Sequence, residues 1–487
     1  MTPINLDHLM RTSHVGFGTS GARGLVSDMT DTLCYAYTLA FLQAVVGQPG
    51  PIVLGHDLRP SSPRMAAACA AAMRDAGYTV IYAGALPTPA LAYYAATIDA
   101  PSLVVTGSHI PFDRNGLKFY RADGEISKVD EALMRAAVVH VPTEIKPYLL
   151  ASPDGRARAA YVQRYLKFFG AQILAGQRIA VYEHSSVARD VLRELLQGLG
   201  AEVLSLGRTD TFVPIDTEAV RVEDVAQAKL WANEHPFDAI LSTDGDGDRP
   251  LIGDETGVWL RGDMVGILCA QYLAADVVVT PLSSNTAVEL CRSFKQVMRT
   301  RIGSPFVIAG MDAASMEAGT LSNHVVVGYE ANGGFLLGSA VVRDGQTLTA
   351  LPTRDAVLPM LALLCMARAQ GTTLSQLSHA LPARYTASDR LANFASLLSS
   401  ALLARFSEDL TQAAALFAPD AGEVVDVNTV DGLRLGFANG DIVHLRPSGN
   451  APELRCYAEA NTTLRAVQLC ADCLQRLAGF NAASTAL

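Results

Sequence analysis

The chain has 487 residues, 50% of them hydrophobic and 18% charged, with 48 acidic residues against 38 lysines and arginines, a formal net charge of -10. At about 150 residues per domain this length predicts three or four domains with cores that need no disulfides or structural metal. The acidic balance supplies no cationic surface, which argues against general nucleic-acid or anionic-membrane binding and requires any phosphate to be held in a local pocket.

Met1 to Arg11 lacks the apolar centre of a secretory leader, and the longest apolar stretch, Val357 to Ala367, is too short to span a bilayer, so a cytoplasmic protein is expected. The first third then alternates. Pro51–Gly55 reads as a buried strand, Ser62–Gly77 as an Ala-rich helix ended by glycine, Tyr78–Tyr82 as a strand, Pro89–Ile98 as a helix and Ser102–Thr106 as a strand. Strand, helix, strand in this rhythm predicts parallel βαβ units with both sheet faces covered.

Pro142–Gly155 is polar and proline-punctuated, a linker. The rhythm restarts with strands at 178–182, 202–206 and 238–242 and helices at 188–198 and 224–234. After Gly262 it runs again, with a helix, then strands at 276–280, 296–301 and 324–327 and helices at 285–294 and 306–316. From about Leu374 the pattern changes to a long helix, 395–417, and short strands at 423–427, 433–437, 442–446 and 454–458. Asp431-Gly432 and Asn439-Gly440 mark hairpin turns among them. A helix over 463–477 closes the chain. Its Cys470-x-x-Cys473 lies in a helical apolar run with no second ligand pair, so core packing is expected, as for the other six scattered cysteines. The fold class is therefore α/β, three consecutive similar α/β domains with mixed sheets (1–145, 155–256 and 257–372) followed by a C-terminal α+β domain (373–487).

Four loops beside predicted strands have compositions that packing does not explain, and strand-end loops are where open α/β sheets bind ligands. In Thr243-Asp244-Gly245-Asp246-Gly247-Asp248-Arg249, three alternating carboxylates separated by glycines can converge on one hard cation such as Mg²⁺. An EF-hand is excluded because Arg249 stands where its glycine is required, Pro250 follows, and a strand precedes the loop. In Thr106-Gly107-Ser108-His109-Ile110-Pro111, the serine can present its hydroxyl, with His109 and Lys118 as candidates for proton handling or charge neutralisation. No G-x-S-x-G elbow is present, which argues against a hydrolase triad. Glu330 and Asn332 in Gly328-Tyr329-Glu330-Ala331-Asn332-Gly333-Gly334 could meet sugar hydroxyls. Arg446-Pro447-Ser448-Gly449-Asn450, followed by Arg455, reads as an anion nest. A further glycine-rich stretch, Gly16 to Gly24, carries Arg23 and does not fit a dinucleotide-binding turn.

Together these loops resemble the phosphohexomutase family, the phosphomannomutases and phosphoglucomutases. The resemblance covers nearly the whole chain and keeps the motifs in order: Gly-Thr-Ser-Gly-x-Arg-Gly, Thr-x-Ser-His-x-Pro, Asp-Gly-Asp-Gly-Asp-Arg, Glu-x-x-Gly and Arg-x-Ser-Gly. It implies four domains around a central cleft and an isomerase that exchanges phosphoryl groups between the 1- and 6-positions of a hexose phosphate. On that resemblance Ser108 is a phosphoserine. Asp244, Asp246 and Asp248, with Ser108, hold Mg²⁺. Arg23, His109 and Lys118 line the reacting centre. Glu330, Asn332 and Arg249 face the substrate, and Arg446, Ser448, Asn450 and Arg455 hold its non-reacting phosphate. A hexose 1,6-bisphosphate is the implied activator and intermediate, and a monomer or small homo-oligomer is expected.

Two departures stand out. Gly334 occupies the place where many relatives carry a histidine, and the phosphate loop reads Gly-Asn-Ala-Pro where Gly-Thr-Glu-Pro is commoner. The Glu-Ala-Asn-Gly-Gly-Phe run resembles bacterial phosphomannomutases most, implying mannose phosphates, with phosphoglucomutase and phosphoglucosamine mutase chemistry as alternatives. A Mg²⁺-dependent sugar phosphatase would need an Asp-x-Asp nucleophile near the chain start, which is not there. A non-catalytic phosphosugar-binding relative would be expected to have lost Ser108, Lys118 or an aspartate, and all are present.

Overall fold

The computed structural model describes residues 1–18, 20–146, 148–318, 324–448 and 452–484. The chain divides into two compact units, Met1–Val278 with Gly303–Ser378, and Val279–Ile302 with His379–Leu487. Among the described residues no helix is long and apolar enough to cross a membrane.

The first unit opens on a mixed sheet. Pro51–His56 lies between Thr79–Ala85 and Ser102–Val105 and runs parallel to both. Arg114–Arg121 then adds antiparallel to Ser102–Val105, followed by Ala22–Leu25 and Gly16–Phe17. The Ala-rich helix, Ser62–Asp75, buries Ala66, Ala70 and Ala72 against the core, where small side chains allow close approach to its neighbours. A second sheet follows, Glu202–Leu206, Arg178–Tyr182, Ala239–Thr243 and Pro250–Gly253, parallel except for the last pair. A third set, Val326–Tyr329, Phe335–Leu337 and Leu351–Asp355, is antiparallel.

The second unit carries an all-antiparallel sheet in the order Tyr385–Ala392, Glu453–Ala460, Ile442–Pro447, Leu433–Phe437, Val424–Asn428. Its core joins Leu433, Leu445 and Cys456 from the sheet to Phe406, Phe417, Leu469 and Leu477 from helices. Cys470 and Cys473 sit in that core, and all eight cysteines are unpaired.

Three expectations need correction. The helix over 395–417 is two helices, Ser396–Glu408 and Leu410–Phe417, broken where Asp409 turns out of the helical path and its carboxylate caps Gln412 N–H. The helix over 285–294 shrinks to one turn, Ala287–Leu290, and the side chain of Asn285 and the N–H of Thr286 bond to Arg384 and Glu459 instead of opening it earlier. Lys118, read as a loop residue, lies within the Arg114–Arg121 strand.

Candidate active site

The site in the first unit forms where strands end. Ala239–Thr243 is a buried apolar strand, and the chain turns immediately after it through Asp244, Asp246 and Asp248. Gly247 takes a φ of +71°, and Gly245 sits so near the serine loop that a Cβ there would lie 2.8 Å from the Ser108 carbonyl oxygen. Glycine at 245 is thus what lets the acidic loop close on Ser108. One oxygen from each of the three carboxylates falls within 4.8 Å of the others, and all three side chains are buried.

Ser108 follows the Ser102–Val105 strand with a φ of +53°, a left-handed conformation uncommon outside glycine, asparagine and aspartate. That turn aims its hydroxyl at the acidic loop, where Oγ–H donates to Asp244 Oδ2 at 2.5 Å. His109 Nδ1 lies 3.3 Å from Ser108 Oγ. Burial, then the charges of Arg249 and Arg23, hold the His109 imidazole well below its usual range and so keep it neutral.

The remaining aspartate oxygens divide in a revealing way. Lys118 Nζ donates to Asp246 Oδ2 and Asp248 Oδ2 at 2.6 Å each, and Thr88 Oγ1 donates to Asp246 Oδ2 at 2.6 Å. Asp246 Oδ1 and Asp248 Oδ1 are buried with no hydrogen-bond partner. Buried acceptors are seldom left so, and two of them beside Asp244 form a hard-oxygen donor set that fits a divalent cation such as Mg²⁺. Burial and the two neighbouring carboxylates raise Asp244 well above the usual carboxylate range. At Asp248 burial is outweighed by Arg354, Lys118 and Arg249, and the group stays ionised.

Arg354, on the Leu351–Asp355 strand, was not singled out from the sequence. It is buried, donates to Asp248 Oδ2 from Nε at 3.0 Å, and reaches Glu330 Oε2 at 3.3 Å and Ser304 Oγ at 3.2 Å through Nη1. It ties the acidic loop to the loop bearing Glu330. A Cβ at Gly334 would lie 2.6 Å from Arg354 Cδ, so the arginine stem packs over this glycine. The only sequence signal was an arginine between Thr353 and Asp355 at a strand end, which is too common a pattern to stand out.

Arg249 Nε lies 3.7 Å from Asp248 Oδ1 and 4.0 Å from Asp244 Oδ2. Arg23, on Ala22–Leu25, is pushed down to about 10 by burial and by the charges of Arg249 and Arg354. Asn332 Oδ1 accepts Gly334 N–H at 2.9 Å, and its backbone carbonyl accepts Thr217 Oγ1 at 2.6 Å. The first unit thus brings together Ser108, His109, Lys118, Arg23, Arg249, Glu330 and the three aspartates. Acidic side chains (Asp244, Asp246, Asp248, Glu330) and basic ones (Lys118, Arg23, Arg249, Arg354) interleave there.

In the second unit Arg446 lies one residue before the end of the Ile442–Pro447 strand, and Asp431 Oδ1 accepts its Nε–H at 2.9 Å. Arg446, Arg455 and Arg390 are direct cross-strand partners on three neighbouring strands, so three guanidinium groups share one row of one face. Like charges opposite one another disfavour a sheet unless an anion or carboxylates intervene. Glu453 lies 3.3 Å from Arg390 and 3.6 Å from Arg455. Ser448 is buried beside this row, and its N–H donates to the Glu453 carbonyl. Asn450 lies outside the described residues.

Family models match residues 14–138 (phosphoglucomutase/phosphomannomutase, alpha/beta/alpha domain I), 261–385 (alpha/beta/alpha domain III) and 402–475 (C-terminal domain). A phosphomannomutase of Salmonella muenchen is 46% identical over 462 residues, covering 94% of each chain. One of Sinorhizobium fredii is 45% identical over 457 residues, covering 91% of this chain and 95% of its own. The crystal structure of a Thermus thermophilus protein described as a putative phosphomannomutase superposes with a TM-score of 0.73 at 20% identity, covering 95% of this chain and 99% of that one.

Proposed function

The chain belongs to the phosphoglucomutase/phosphomannomutase family and is an isomerase of the phosphohexomutase type, and from that premise we propose that it interconverts mannose 6-phosphate and mannose 1-phosphate through a phosphorylated Ser108 and a hexose 1,6-bisphosphate intermediate. The observation that carries this reading is Ser108 Oγ, 2.5 Å from Asp244, within a ring of carboxylates and cations and at the end of a strand. The preference for mannose rests on the two relatives at 45–46% identity, both phosphomannomutases, and on the Glu330-to-Phe335 run.

On this reading Asp244, Asp246 and Asp248, with Ser108, would hold Mg²⁺. When bound, the ion draws charge from the transferring phosphoryl group. The chain's own residues do the rest. Lys118, Arg23 and Arg249 neutralise the phosphoryl oxygens, and Glu330 with the Asn332 amide orients the sugar. A sugar hydroxyl forms the new P–O bond as the bond to Ser108 Oγ breaks. The hydroxyl proton is relayed through neutral His109, whose Nδ1 lies 3.3 Å from Ser108 Oγ, and ends on the departing serine oxygen. The resulting bisphosphate then presents its other phosphate to Ser108. Arg446, Ser448, Asn450 and Arg455 hold whichever phosphate is not reacting. We divide the chain for these roles at 1–145, 155–256, 257–372 and 373–487.

Conversion of mannose 1-phosphate, with and without catalytic hexose 1,6-bisphosphate, tests the reading. Wild type is expected to form mannose 6-phosphate without net phosphate release, and Ser108→Ala to lose at least about 10³-fold in kcat. Normal turnover by Ser108→Ala, or steady release of inorganic phosphate, would overturn it.

A further inference from the structure

Arg59 sits two residues beyond Asp57, just past the Pro51–His56 strand, and is among the largest fully buried side chains of the described residues. All four of its terminal N–H groups go to one segment. Nη1 donates to the carbonyls of Pro111 at 2.7 Å and Arg114 at 2.9 Å. Nη2 donates to the carbonyls of Ser108 at 3.0 Å and Ile110 at 2.5 Å. None of the four is spent on the rest of the core. The guanidinium stacks on the Phe212 ring at 4.0 Å, which fixes its plane.

Asp57 holds the other end of the same loop. Its Oδ2 accepts Thr106 Oγ1 at 2.8 Å and Gly107 N–H at 3.2 Å, and Thr106 Oγ1 in turn accepts Ser108 N–H at 2.8 Å. Asp57 also accepts Ser62 Oγ at 2.6 Å and lies 3.2 Å from Arg59 Nε. Ser108 is thus gripped through its N–H from the aspartate side and through its C=O from the arginine side. Between those grips it adopts the left-handed turn, a conformation that persists only when its surroundings over-determine it.

We propose that Arg59 is a positioning residue for phosphoryl transfer. By gathering the carbonyls of residues 108, 110, 111 and 114, it holds Ser108 in the backbone conformation that aims its hydroxyl into the acidic loop. It touches no substrate. The proposal rests on Ser108 being the phosphoryl carrier, but the loop geometry it explains does not. A misplacement of about 1 Å at a reacting group can cost 10²-fold in rate, which sets the expected scale.

Two variants approach the guanidinium from opposite directions. Arg59→Met removes it. Gly107→Ala keeps it but plants a Cβ 2.6 Å from its central carbon, forcing the far end of a flexible side chain aside. Amide hydrogen exchange over residues 107–114 reads the loop directly. Single-turnover phosphorylation of Ser108 by hexose 1,6-bisphosphate, followed by intact mass, reads the chemistry. Both variants are expected to exchange at least about tenfold faster in that loop alone and to phosphorylate about 100-fold more slowly, with KM for mannose 1-phosphate within about threefold. Arg59→Lys is expected to recover part of both losses. If Arg59→Met does not fold, Gly107→Ala decides. Wild-type exchange and phosphorylation in a folded variant, or faster exchange spread evenly over the domain, overturns the proposal. A wild-type protein that takes up no phosphoryl group would instead overturn the proposed function, and the exchange data would still decide the role of Arg59.

Discussion

Arg354 shows how much a single buried side chain can settle. Its guanidinium serves Asp248 and Glu330 at once, and burial that would weaken its charge is outweighed by those two carboxylates, which hold its protonation firm. Removing one partner from a buried ionic set leaves uncompensated charge and typically costs 3–5 kcal/mol. Arg354→Met is therefore expected to lower unfolding free energy by about that amount in denaturant titrations and to depress kcat, while Arg354→Lys loses less of both. Melting indistinguishable from wild type would remove Arg354 from the network. The clustering of Asp244, Asp246 and Asp248, by contrast, was legible in the sequence. Three carboxylates on alternate positions with glycines between them repel one another in any confined loop, so the pattern itself calls for a counter-charge. Nothing similar marks an arginine whose partners lie 24 and 106 positions away.

At the scale of elements, the acidic loop works because the Ala239–Thr243 strand delivers it beside the serine loop and Gly245 removes the last obstacle. Gly245→Ala would press a methyl against the Ser108 carbonyl and the Phe212 ring, which would be 2.8 and 3.2 Å away. We expect kcat to fall about 100-fold and stability by about 1–3 kcal/mol, measured by steady-state kinetics and thermal melting. Unchanged kinetics would show that the two loops can separate without penalty. Apolar runs ended by glycine or by polar loop residues located Pro51–His56, Ser102–Val105, Arg178–Tyr182 and Ala239–Thr243 from sequence alone. The strand holding Lys118 escaped because Arg-Asn-Gly-Leu-Lys-Phe-Tyr-Arg shows no clean alternation. Both of its faces are covered, and the buried lysine is satisfied only by aspartates far along the chain. The break at Asp409 was hidden in turn because no proline or glycine announces it; the cap appears only once Gln412 N–H is seen to point at the carboxylate.

For the molecule as a whole, each unit buries a histidine in the same manner. His184 in the first and His444 in the second each place Nε2 against a carbonyl, that of Thr243 or Asp431, and leave Nδ1 buried without a partner. Burial pushes both down to about 4. The unfolded chain, with histidines near 6.5, then binds more protons than the folded one between about pH 6.5 and 4. Stability is full above that window and falls by about 1.4 kcal/mol per pH unit per histidine as pH drops through it. Denaturant titrations across that range should show the slope, and His444→Gln should flatten its share; an unaltered slope would mean His444 takes no part. The order of the α/β and α+β parts could be followed along the sequence, but the pairing order of the strands could not, since crossovers leave no local mark.

The Lys118 ammonium spans Asp246 and Asp248 with one oxygen of each, while the other oxygen of each is buried without a hydrogen-bond partner. Lys118 therefore does part of the work of holding these two carboxylates side by side. If the proposed Mg²⁺ sits against the other oxygens, a chelator is expected to abolish turnover with little change in melting temperature, and returning the metal to restore it without a refolding step.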